Sequence, residues 1–381
     1  MTRKSLRTAR RLSGVGDASQ TFAIGFDSRD TPRVLASWEE IIQTQRWTEG
    51  KYTQLFEEKW SVWNGLPAVA TSSWAGAAMA CLDYFKLKGK KVLCPTNTFM
   101  ATPLSIVKAG ADVVFGDCNR TDLCLSYEAV MSAAARHKLA AVWLVHIGGH
   151  LAFDTPRIAD FCRAKGIVLL EDCAHAHGAS WNGQKPGTWG DAGAYSFYGT
   201  KSISTGEGGM VVSRHPGLIA FARAYRNYGK PDYEVEGLNY RMSEFTAALG
   251  VVQVDRLEEI TAWKNAVAVR DLHPRFPNRV RLPDGMRSGL YKYIVFEPVE
   301  RSTGKVYDRL CHTIMKQPGS FPNSEWVTQH HWCVPLYYHP GQQPARTPEA
   351  ERSDAPLRLL GGPRLRGGRR KPAALAAGAA P

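Results

Sequence analysis

Lys201 and Asp172 are the two residues of this sequence whose types and placement could together perform covalent chemistry. Lys201 follows an apolar segment that ends at Phe197, and the glycine-rich turn Gly206–Gly209 comes soon after it. Asp172 ends another apolar segment, 29 positions earlier. An amine at such a position can form a covalent imine with an aldehyde, and a carboxylate can keep a pyridine nitrogen protonated. The pair therefore indicates chemistry on bound pyridoxal phosphate.

Two serine hydroxyls are placed to bind the phosphate of such a cofactor. Ser73 lies in the segment Thr71–Gly76, which joins a strand-like run to a helix-like run. The start of a helix also offers backbone N–H groups to an anion. Ser196 lies five residues before Lys201. We therefore predict that Ser73 and Ser196 contribute hydroxyls to a phosphate site.

The elements that must position these residues are short apolar runs separated by helical patterns. Most of the runs are continuous and not alternating, which is typical of parallel strands that are covered on both faces. The seven predicted strands lie at residues 68–71, 91–94, 112–115, 141–145, 167–170, 192–197 and 210–213. The predicted helices between them lie at residues 75–87, 100–109, 126–138 and 155–165.

This alternation predicts an α/β fold with a mainly parallel seven-stranded sheet and helices on both faces. Ligands of such sheets bind outside the carboxyl ends of the strands, which is where Asp172 and Lys201 fall. Later in the chain, residues 214–228 and 240–270 have helical patterns, and residues 290–296 alternate like a half-buried strand.

We expect four segments along the chain. Residues 1–30 form a basic N-terminal tail, and residues 31–264 form the large cofactor-binding domain. Residues 265–340 form a smaller C-terminal α+β domain. Residues 341–381 are rich in Arg, Pro, Ala and Gly and contain no aromatic residue. Such a composition predicts a disordered tail, because it cannot bury enough apolar surface to offset the entropy of ordering.

Net charge and cysteine content exclude several classes of protein. The formal net charge is +13, but residues 1–11 and 341–381 together carry +10 of it, which argues against a nucleic-acid-binding core. No apolar run approaches the length of a membrane span and no secretion signal is recognisable, so we expect a cytoplasmic protein with no membrane partner. The eight cysteines lack metal-site spacing and are interpreted as reduced core thiols.

Several motifs resemble the DegT/DnrJ/EryC1/StrS aminotransferases. They are the segments Glu171–Ala179, Ser196–Lys201, Gly206–Gly209, Gly237–Glu244 and Ala247–Gly250, and the resemblance covers roughly residues 30 to 335. It implies fold type I of the pyridoxal phosphate enzymes, the fold of aspartate aminotransferase, with Lys201 and Asp172 as the catalytic pair.

The resemblance also implies further cofactor contacts. Trp74 lies where the family usually has a phosphate-binding threonine. Phe99 lies where an aromatic ring stacks on the pyridine ring. His175 replaces a glutamine that lies near the cofactor's phenolic oxygen. Asn239 matches an asparagine that reaches the phosphate of the neighbouring subunit, which implies a homodimer with shared active sites.

The implied reaction transfers an amino group from glutamate or glutamine to a nucleotide-linked keto-sugar or a keto-cyclitol in antibiotic or glycan biosynthesis. Alternatives within the same chemistry are a 3-amino-5-hydroxybenzoate synthase and a sugar dehydratase, although the dehydratases have histidine in place of the lysine. A ligand-sensing regulator on this fold is the non-enzymatic alternative. No metal site is expected, because His175 and His177 have no third ligand nearby.

Related enzymes usually continue after residue 340 with another ordered part of the small domain. Two interpretations of residues 341–381 therefore stay open. Either the reading frame changed near residue 340 or the end was truncated and replaced, which could leave the chain inactive, or the segment is a natural flexible tail.

Overall fold

A seven-stranded sheet lies at the centre of the computed structural model, which describes residues 26–339. The strands of the chain are β1 (Ala68–Thr71), β2 (Lys91–Pro95), β3 (Asp112–Gly116), β4 (Leu139–Val145), β5 (Val168–Asp172), β6 (Ser180–Trp181), β7 (Ala192–Ser196), β8 (Gly209–Ser213), β9 (Met286–Arg287), β10 (Tyr293–Val295) and β11 (Trp332–Val334). Each of the seven strands predicted before residue 214 is present, with ends that differ by no more than two residues.

Helices cover the sheet on both faces. They are α1 (Thr31–Thr44), α2 (Lys51–Asn64), α3 (Trp74–Tyr84), α4 (Ala101–Lys108), α5 (Tyr127–Arg136), α6 (Thr155–Lys165), α7 (Pro216–Tyr225), α8 (Glu244–Val267), α9 (Cys311–Ile314) and α10 (Pro322–His330). Successive residues of one strand enter different cores: Ala68 and Ala70 pack on the side of α2 and α8, whereas Val69 packs on the side of α3 and α7. This explains the continuous apolar runs of the sequence.

The strand order of the large sheet is β1-β8-β7-β5-β4-β2-β3. Strand β8 runs antiparallel to both of its neighbours, and the remaining six strands run parallel to one another. The predicted mainly parallel sheet is therefore confirmed. Because β8 is reversed, its first residue lies at the same edge as the carboxyl ends of the other strands.

The segment after α8 adds two small antiparallel sheets, in which β10 pairs with β11 and β9 pairs with β6. The predicted boundary between residues 264 and 265 falls within the last turn of α8, and the division into two domains stays a prediction. Of the predicted N-terminal tail, residues 26–30 are described. There Asp27 and Asp30 are buried and pair with Arg29 and Arg256. The rest of that segment and the predicted tail at 341–381 lie outside the described residues.

All eight cysteines are buried and free, as the interpretation as core thiols predicts. Between residues 26 and 339, no helix combines the length and the apolar character that crossing a membrane requires.

Candidate active site

The carboxyl edge of the sheet brings the candidate residues together. Asp172 is the last residue of β5, and Ser196 is the last residue of the neighbouring strand β7. The reversed strand β8 begins at this edge with Gly209, which pairs with Ser196 on one side and with Thr71 on the other. Segments that are far apart in the sequence therefore meet at one place.

Asp172 is a buried carboxylate held by two hydrogen bonds. Its Oδ2 accepts from the Thr102 hydroxyl at 2.9 Å, and its Oδ1 accepts from the Ala174 backbone N–H at 3.1 Å. Burial raises the pKa of Asp172, while these hydrogen bonds and the charge of Lys201 act in the opposite direction. No lysine or arginine in residues 26–339 forms an ion pair with this carboxylate at close range. The site thus offers a buried carboxylate that a cationic ring nitrogen could pair with.

Lys201 is half-buried in the loop that follows β7, where its backbone N–H donates to the Tyr198 carbonyl at 2.9 Å. Burial lowers the pKa of Lys201 to about 8, Asp172 raises it, and the charge of Lys292 lowers it further. A lysine with such a pKa is neutral in roughly one molecule in ten at pH 7, far more than at the ordinary value of 10.5, and the neutral amine is the nucleophile. The mutual effect on pKa shows that Lys201 and Asp172 lie within electrostatic reach of each other.

Tyr291 is a site residue that the sequence did not reveal. The Lys201 Nζ lies 4.8 Å from the centre of the Tyr291 ring, and the Tyr291 hydroxyl is hydrogen-bonded to the Thr200 hydroxyl at 3.0 Å. The backbone approaches closely here, because a Cβ atom at Gly149 would lie only 2.5 Å from the Tyr291 nitrogen. Gly149 has a φ of +115°, which favours glycine. The sequence alone gives no indication that Tyr291 contacts Gly149, because the two residues are far apart in the chain and no motif joins them.

The two predicted phosphate-binding serines lie on adjacent segments. Ser73 caps α3, where its hydroxyl accepts from the Gly76 N–H at 3.3 Å. A Cβ atom at Gly209 would lie 2.2 Å from the Ser73 carbonyl oxygen, so only glycine permits this approach. Because Gly209 also pairs with Ser196, the two serine-bearing segments flank the start of β8. This arrangement agrees with a shared anion site, and the phosphate contacts themselves stay predictions.

Trp74 directs its side chain into the core and not toward the edge of the sheet. Its indole Nε1 donates to the Ala194 carbonyl at 3.2 Å, and its ring centre lies 5.5 Å from that of Trp143. Among the described residues, none accepts a hydrogen bond from the backbone N–H of Trp74 or Ala75. A contact of Trp74 with a phosphate would therefore use its backbone N–H and not its side chain.

Phe99 is 66% exposed in the turn before α4. Its carbonyl accepts from the backbone N–H of Thr102, whose hydroxyl binds Asp172. The turn thus connects the exposed aromatic ring to the buried carboxylate, with Thr102 as an additional residue that the sequence analysis did not identify. Stacking of Phe99 on a cofactor ring stays a prediction.

His175 is buried close to Lys201. Its ring centre lies 4.3 Å from that of Tyr291, and its Nδ1 accepts a long hydrogen bond of 3.4 Å from the Gly148 N–H. Burial and the charge of Lys201 hold the pKa of His175 well below its usual range. The neutral ring accepts at Nδ1, so its proton lies on Nε2, which can donate a hydrogen bond. The predicted donor role is chemically available.

Asn239 is exposed, and its Oδ1 accepts from the Arg241 N–H at 3.2 Å. The next residue, Tyr240, accepts a hydrogen bond of 2.7 Å from the Ser72 N–H of the same chain. Asn239 therefore lies close to the Ser73 turn of its own chain. Its predicted action across subunits stays a prediction.

Glu171 and His146 form a buried network next to the site. Glu171 accepts hydrogen bonds from the backbone N–H groups of Gly187, Trp189 and Gly190, and from His146 Nε2 at 2.8 Å. The network holds the loop that precedes β7.

Two buried groups of side chains have ligand atoms close enough to hold a metal ion: His146, Glu171 and Cys173, and Asp122, Cys124 and His150. The carboxylate of each group already accepts hydrogen bonds from backbone N–H groups: Glu171 in the first group and Asp122 in the second. These bonds favour a structural role, and the expectation of no metal stays a prediction.

Known proteins share both the sequence pattern and the fold. GDP-perosamine synthase of Vibrio cholerae is 35% identical over 228 residues, which are 58% of this chain and 62% of that protein. L-glutamine:2-deoxy-scyllo-inosose aminotransferase of Streptomyces kanamyceticus is 30% identical over 261 residues, which are 61% of this chain and 60% of that protein. The matches thus span less than two thirds of these relatives.

Among solved structures, that of DesI in the presence of its TDP-sugar product superposes with a TM-score of 0.74 and 26% identity, and the match covers 84% of this chain and 88% of that chain. The profile of the DegT/DnrJ/EryC1/StrS aminotransferase family matches residues 29–271, well over half of the sequence. Together with the α/β fold, this match shows that the chain belongs to the DegT/DnrJ/EryC1/StrS aminotransferase family.

Proposed function

We propose that this chain is a pyridoxal phosphate-dependent aminotransferase that moves an amino group from glutamate or glutamine to a keto-sugar or keto-cyclitol. One observation carries the proposal: a lysine whose pKa is lowered to about 8 lies within electrostatic reach of a buried, hydrogen-bonded aspartate at the carboxyl edge of the sheet. The relatives whose names describe perosamine synthesis and inosose amination support the type of acceptor.

The residues at this edge fit the cofactor. Asp172 would pair with the pyridine nitrogen, and Thr102 would hold the carboxylate in place. Ser73, Ser196 and the N–H groups at the start of α3 would bind the phosphate. When bound, the cofactor supplies an electron sink for the bonds that are broken at the amino-bearing carbon.

Lys201 would bind the cofactor covalently and, once released, move a proton at the reacting carbon of the substrate. Its lowered pKa makes the neutral amine available near neutral pH, which a general base requires. The Tyr291 ring restricts where the amine can lie. His175 Nε2 would donate a hydrogen bond to the cofactor's phenolic oxygen.

We also propose that the enzyme is a cytoplasmic homodimer with shared active sites. Exposed apolar side chains near Asn239, namely Leu238, Tyr233 and Tyr228, are 58%, 64% and 47% exposed and support an interface there.

The donor half-reaction tests the proposal without knowledge of the acceptor. Purified full-length protein loaded with pyridoxal phosphate should convert glutamate or glutamine to the corresponding 2-oxo acid, with one equivalent formed per site. A panel of nucleotide-linked keto-sugars and inososes should then take up ¹⁵N from the α-amino group of the donor. Lys201→Ala should abolish both reactions. Failure of the cofactor-loaded protein to form either 2-oxo acid would contradict the proposal.

A further inference from the structure

Residues 303–312 form a crossing segment that runs from the small sheet of β10 and β11 to the edge of the large sheet. At its start, the Thr303 N–H donates to the Cys333 carbonyl of β11 at 2.9 Å. At its end, the Cys311 N–H donates at 2.9 Å to the carbonyl of Thr96, the residue that follows β2. Neither the sequence analysis nor the proposed reaction uses the crossing segment.

His312 is joined to Thr96 by two hydrogen bonds. Both residues are buried, and the His312 Nδ1 lies 2.7 Å from the Thr96 hydroxyl oxygen. The same oxygen accepts from the His312 backbone N–H at 3.2 Å, so the hydroxyl proton is available to donate to Nδ1. Burial lowers the pKa of His312, which favours the neutral ring that an acceptor nitrogen requires. The crossing segment therefore fixes the side chain at the start of the turn after β2.

The turn that begins at Thr96 connects the crossing segment to Asp172. The Cys311 thiol donates to the Thr98 carbonyl at 3.1 Å. The Thr98 hydroxyl lies 3.3 Å from the Thr102 hydroxyl, which in turn donates to Asp172 Oδ2 at 2.9 Å. Since the Thr102 proton is used by Asp172, the Thr98 hydroxyl is the donor to Thr102. A chain of hydrogen bonds therefore leads from this turn to the carboxylate that would pair with the pyridine nitrogen.

Tyr307, in the middle of the crossing segment, packs on His175. The two rings are nearly parallel, with an angle of 17° between their planes and 6.0 Å between their centres. Tyr291 contacts the same imidazole, with 4.3 Å between the ring centres. Aromatic pairs at such separations stabilise a fold beyond the area that they bury. Two tyrosines that both follow α8 in the chain therefore restrict the orientation of the His175 ring.

The ring of Tyr307, and not its hydroxyl, makes this contact. Tyr307 is half-buried, and its hydroxyl forms no hydrogen bond with any residue between 26 and 339. Burial raises the pKa of Tyr307 well above its usual range, and the charge of Asp172 raises it further, so the two groups lie within electrostatic reach. Phenylalanine should therefore preserve the contact with His175, whereas a residue without a ring should not.

We propose that Tyr307 and His312 are positioning residues of the cofactor site. Tyr307 acts through His175. His312 acts through the turn that carries Phe99 and supports Asp172. The inference rests on the proposed function, because it takes these residues to contact pyridoxal phosphate. It goes beyond that function by assigning part of the site to a segment that follows all of the predicted contacts in the sequence.

Titration of the full-length protein with pyridoxal phosphate, followed by absorbance, measures the cofactor affinity of each variant. We expect Tyr307→Leu to weaken binding about threefold or more, because the ring contact with His175 is lost. Tyr307→Phe keeps the ring and should bind within about twofold of the unsubstituted protein. His312→Leu should also weaken binding about threefold or more, because the buried Thr96 hydroxyl loses its acceptor.

His330→Leu is the matched control for His312→Leu. His330 also combines a hydrogen bond with a ring contact: its Nδ1 lies 2.8 Å from the Trp326 carbonyl oxygen, and its ring stacks on Trp326 with 4.7 Å between the centres. These contacts lie within α10, and His330 is exposed. The control should change cofactor affinity less than about twofold.

Hydrogen exchange of the cofactor-free protein separates positioning from a general loss of stability. Tyr307→Leu should speed exchange in the peptide that contains Gly148, whose N–H donates to His175 Nδ1. His312→Leu should speed exchange in the peptide that spans residues 96–102, where the Thr102 N–H donates to the Phe99 carbonyl. Exchange that becomes faster to the same extent throughout the protein overturns the proposal.

Thr96→Val keeps the shape of the side chain and removes only the hydroxyl, so it tests the His312 contact even if His312→Leu does not fold. Unchanged cofactor affinity together with unchanged exchange in Tyr307→Leu and Thr96→Val overturns the proposal. A Tyr307→Phe variant that is as impaired as Tyr307→Leu overturns it as well.

Failure of this inference and failure of the proposed function give different results. If the unsubstituted protein binds the cofactor and none of the variants differs from it, only the inference about Tyr307 and His312 fails. If the unsubstituted protein binds no pyridoxal phosphate at Lys201, the proposed function fails and hydrogen exchange decides the inference. Faster exchange confined to the two expected peptides then supports it, and unchanged exchange overturns it.

Discussion

The Lys201 ammonium lies 4.8 Å from the centre of the Tyr291 ring, although in the sequence Lys201 precedes the long helix α8 and Tyr291 follows it. The Tyr291 hydroxyl also binds Thr200, the residue before the lysine. Tyr291 therefore holds the lysine loop at two points, which is how a positioning residue acts on its neighbour.

Substitutions at Tyr291 should separate these two contacts. Tyr291→Phe removes only the hydrogen bond and should weaken pyridoxal phosphate binding less than about fivefold, as a loss of about 1 kcal/mol implies. Tyr291→Ala also removes the ring beneath the ammonium and should weaken binding about tenfold or more. Cofactor titration by absorbance measures both effects. Equal affinities in the two variants would show that the ring itself does not position Lys201.

Lys201→Met should stabilise the protein before cofactor binds, in a manner that depends on pH. The pKa of Lys201 is lowered to about 8 in the folded protein from 10.5, so the unfolded chain binds more protons between these values. Stability of the unsubstituted protein therefore rises with pH across this interval. The advantage of the methionine variant should be largest below pH 8 and should shrink toward pH 10.5.

Urea unfolding of both proteins at pH 7 and pH 10 measures this difference. The pKa of Lys264 is lowered to about 8 as well, but Lys264 is present in both proteins and its contribution cancels. A stability difference that does not change with pH would show that Lys201 is not desolvated in the folded protein.

Asp172→Asn should preserve folding and reduce the donor half-reaction by several orders of magnitude. The amide keeps the size of the side chain, but it cannot hold a pyridine nitrogen protonated. Thr102→Val removes one hydrogen bond to the carboxylate and should reduce the rate only about tenfold, as the loss of a charged hydrogen bond predicts. Single-turnover rates with glutamate measure both variants. A near-normal rate in Asp172→Asn removes this residue from the mechanism.

Glu171→Gln should destabilise the fold by about 2–4 kcal/mol. In the unsubstituted protein both carboxylate oxygens of Glu171 accept from backbone N–H groups, whereas the side-chain NH₂ group of glutamine is a donor and would leave such N–H groups without an acceptor. Trp189 and Gly190 donate to one oxygen of Glu171 at 2.8 and 2.7 Å. The exposed Glu128→Gln is the matched control and should change stability by less than about 0.5 kcal/mol. If the two variants have the same free energy of unfolding, the Glu171 network contributes little to the stability of the fold.

Mixed dimers test whether Asn239 acts across subunits. Co-expressed Lys201→Ala and Asn239→Asp chains should recover part of the activity, since one hybrid site carries neither substitution. The hydrogen bond from Ser72 to Tyr240 places Asn239 near its own chain's Ser73 turn, which makes action within one chain the competing outcome. Mixed dimers that form without recovery of activity would establish that competing outcome.

The sequence by itself determined the strands and the positions of Asp172 and Lys201. Continuous apolar runs marked all seven strands of the sheet within two residues, because strands covered on both faces need apolar residues at every position. Asp172 was recognisable because it comes at the end of such a run, and Ser196 because it lies five residues before Lys201; both properties are local.

Only the tertiary structure decided which distant side chains meet there. Thr102 and Tyr291 reach Asp172 and Lys201 from other elements, and no local pattern marks either residue. The inward direction of Trp74 at the start of α3 likewise follows from packing against Trp143, which belongs to strand β4. Periodicity reports which face of an element is buried, whereas the strand order and the close approach of backbones at glycines decide what that face contacts.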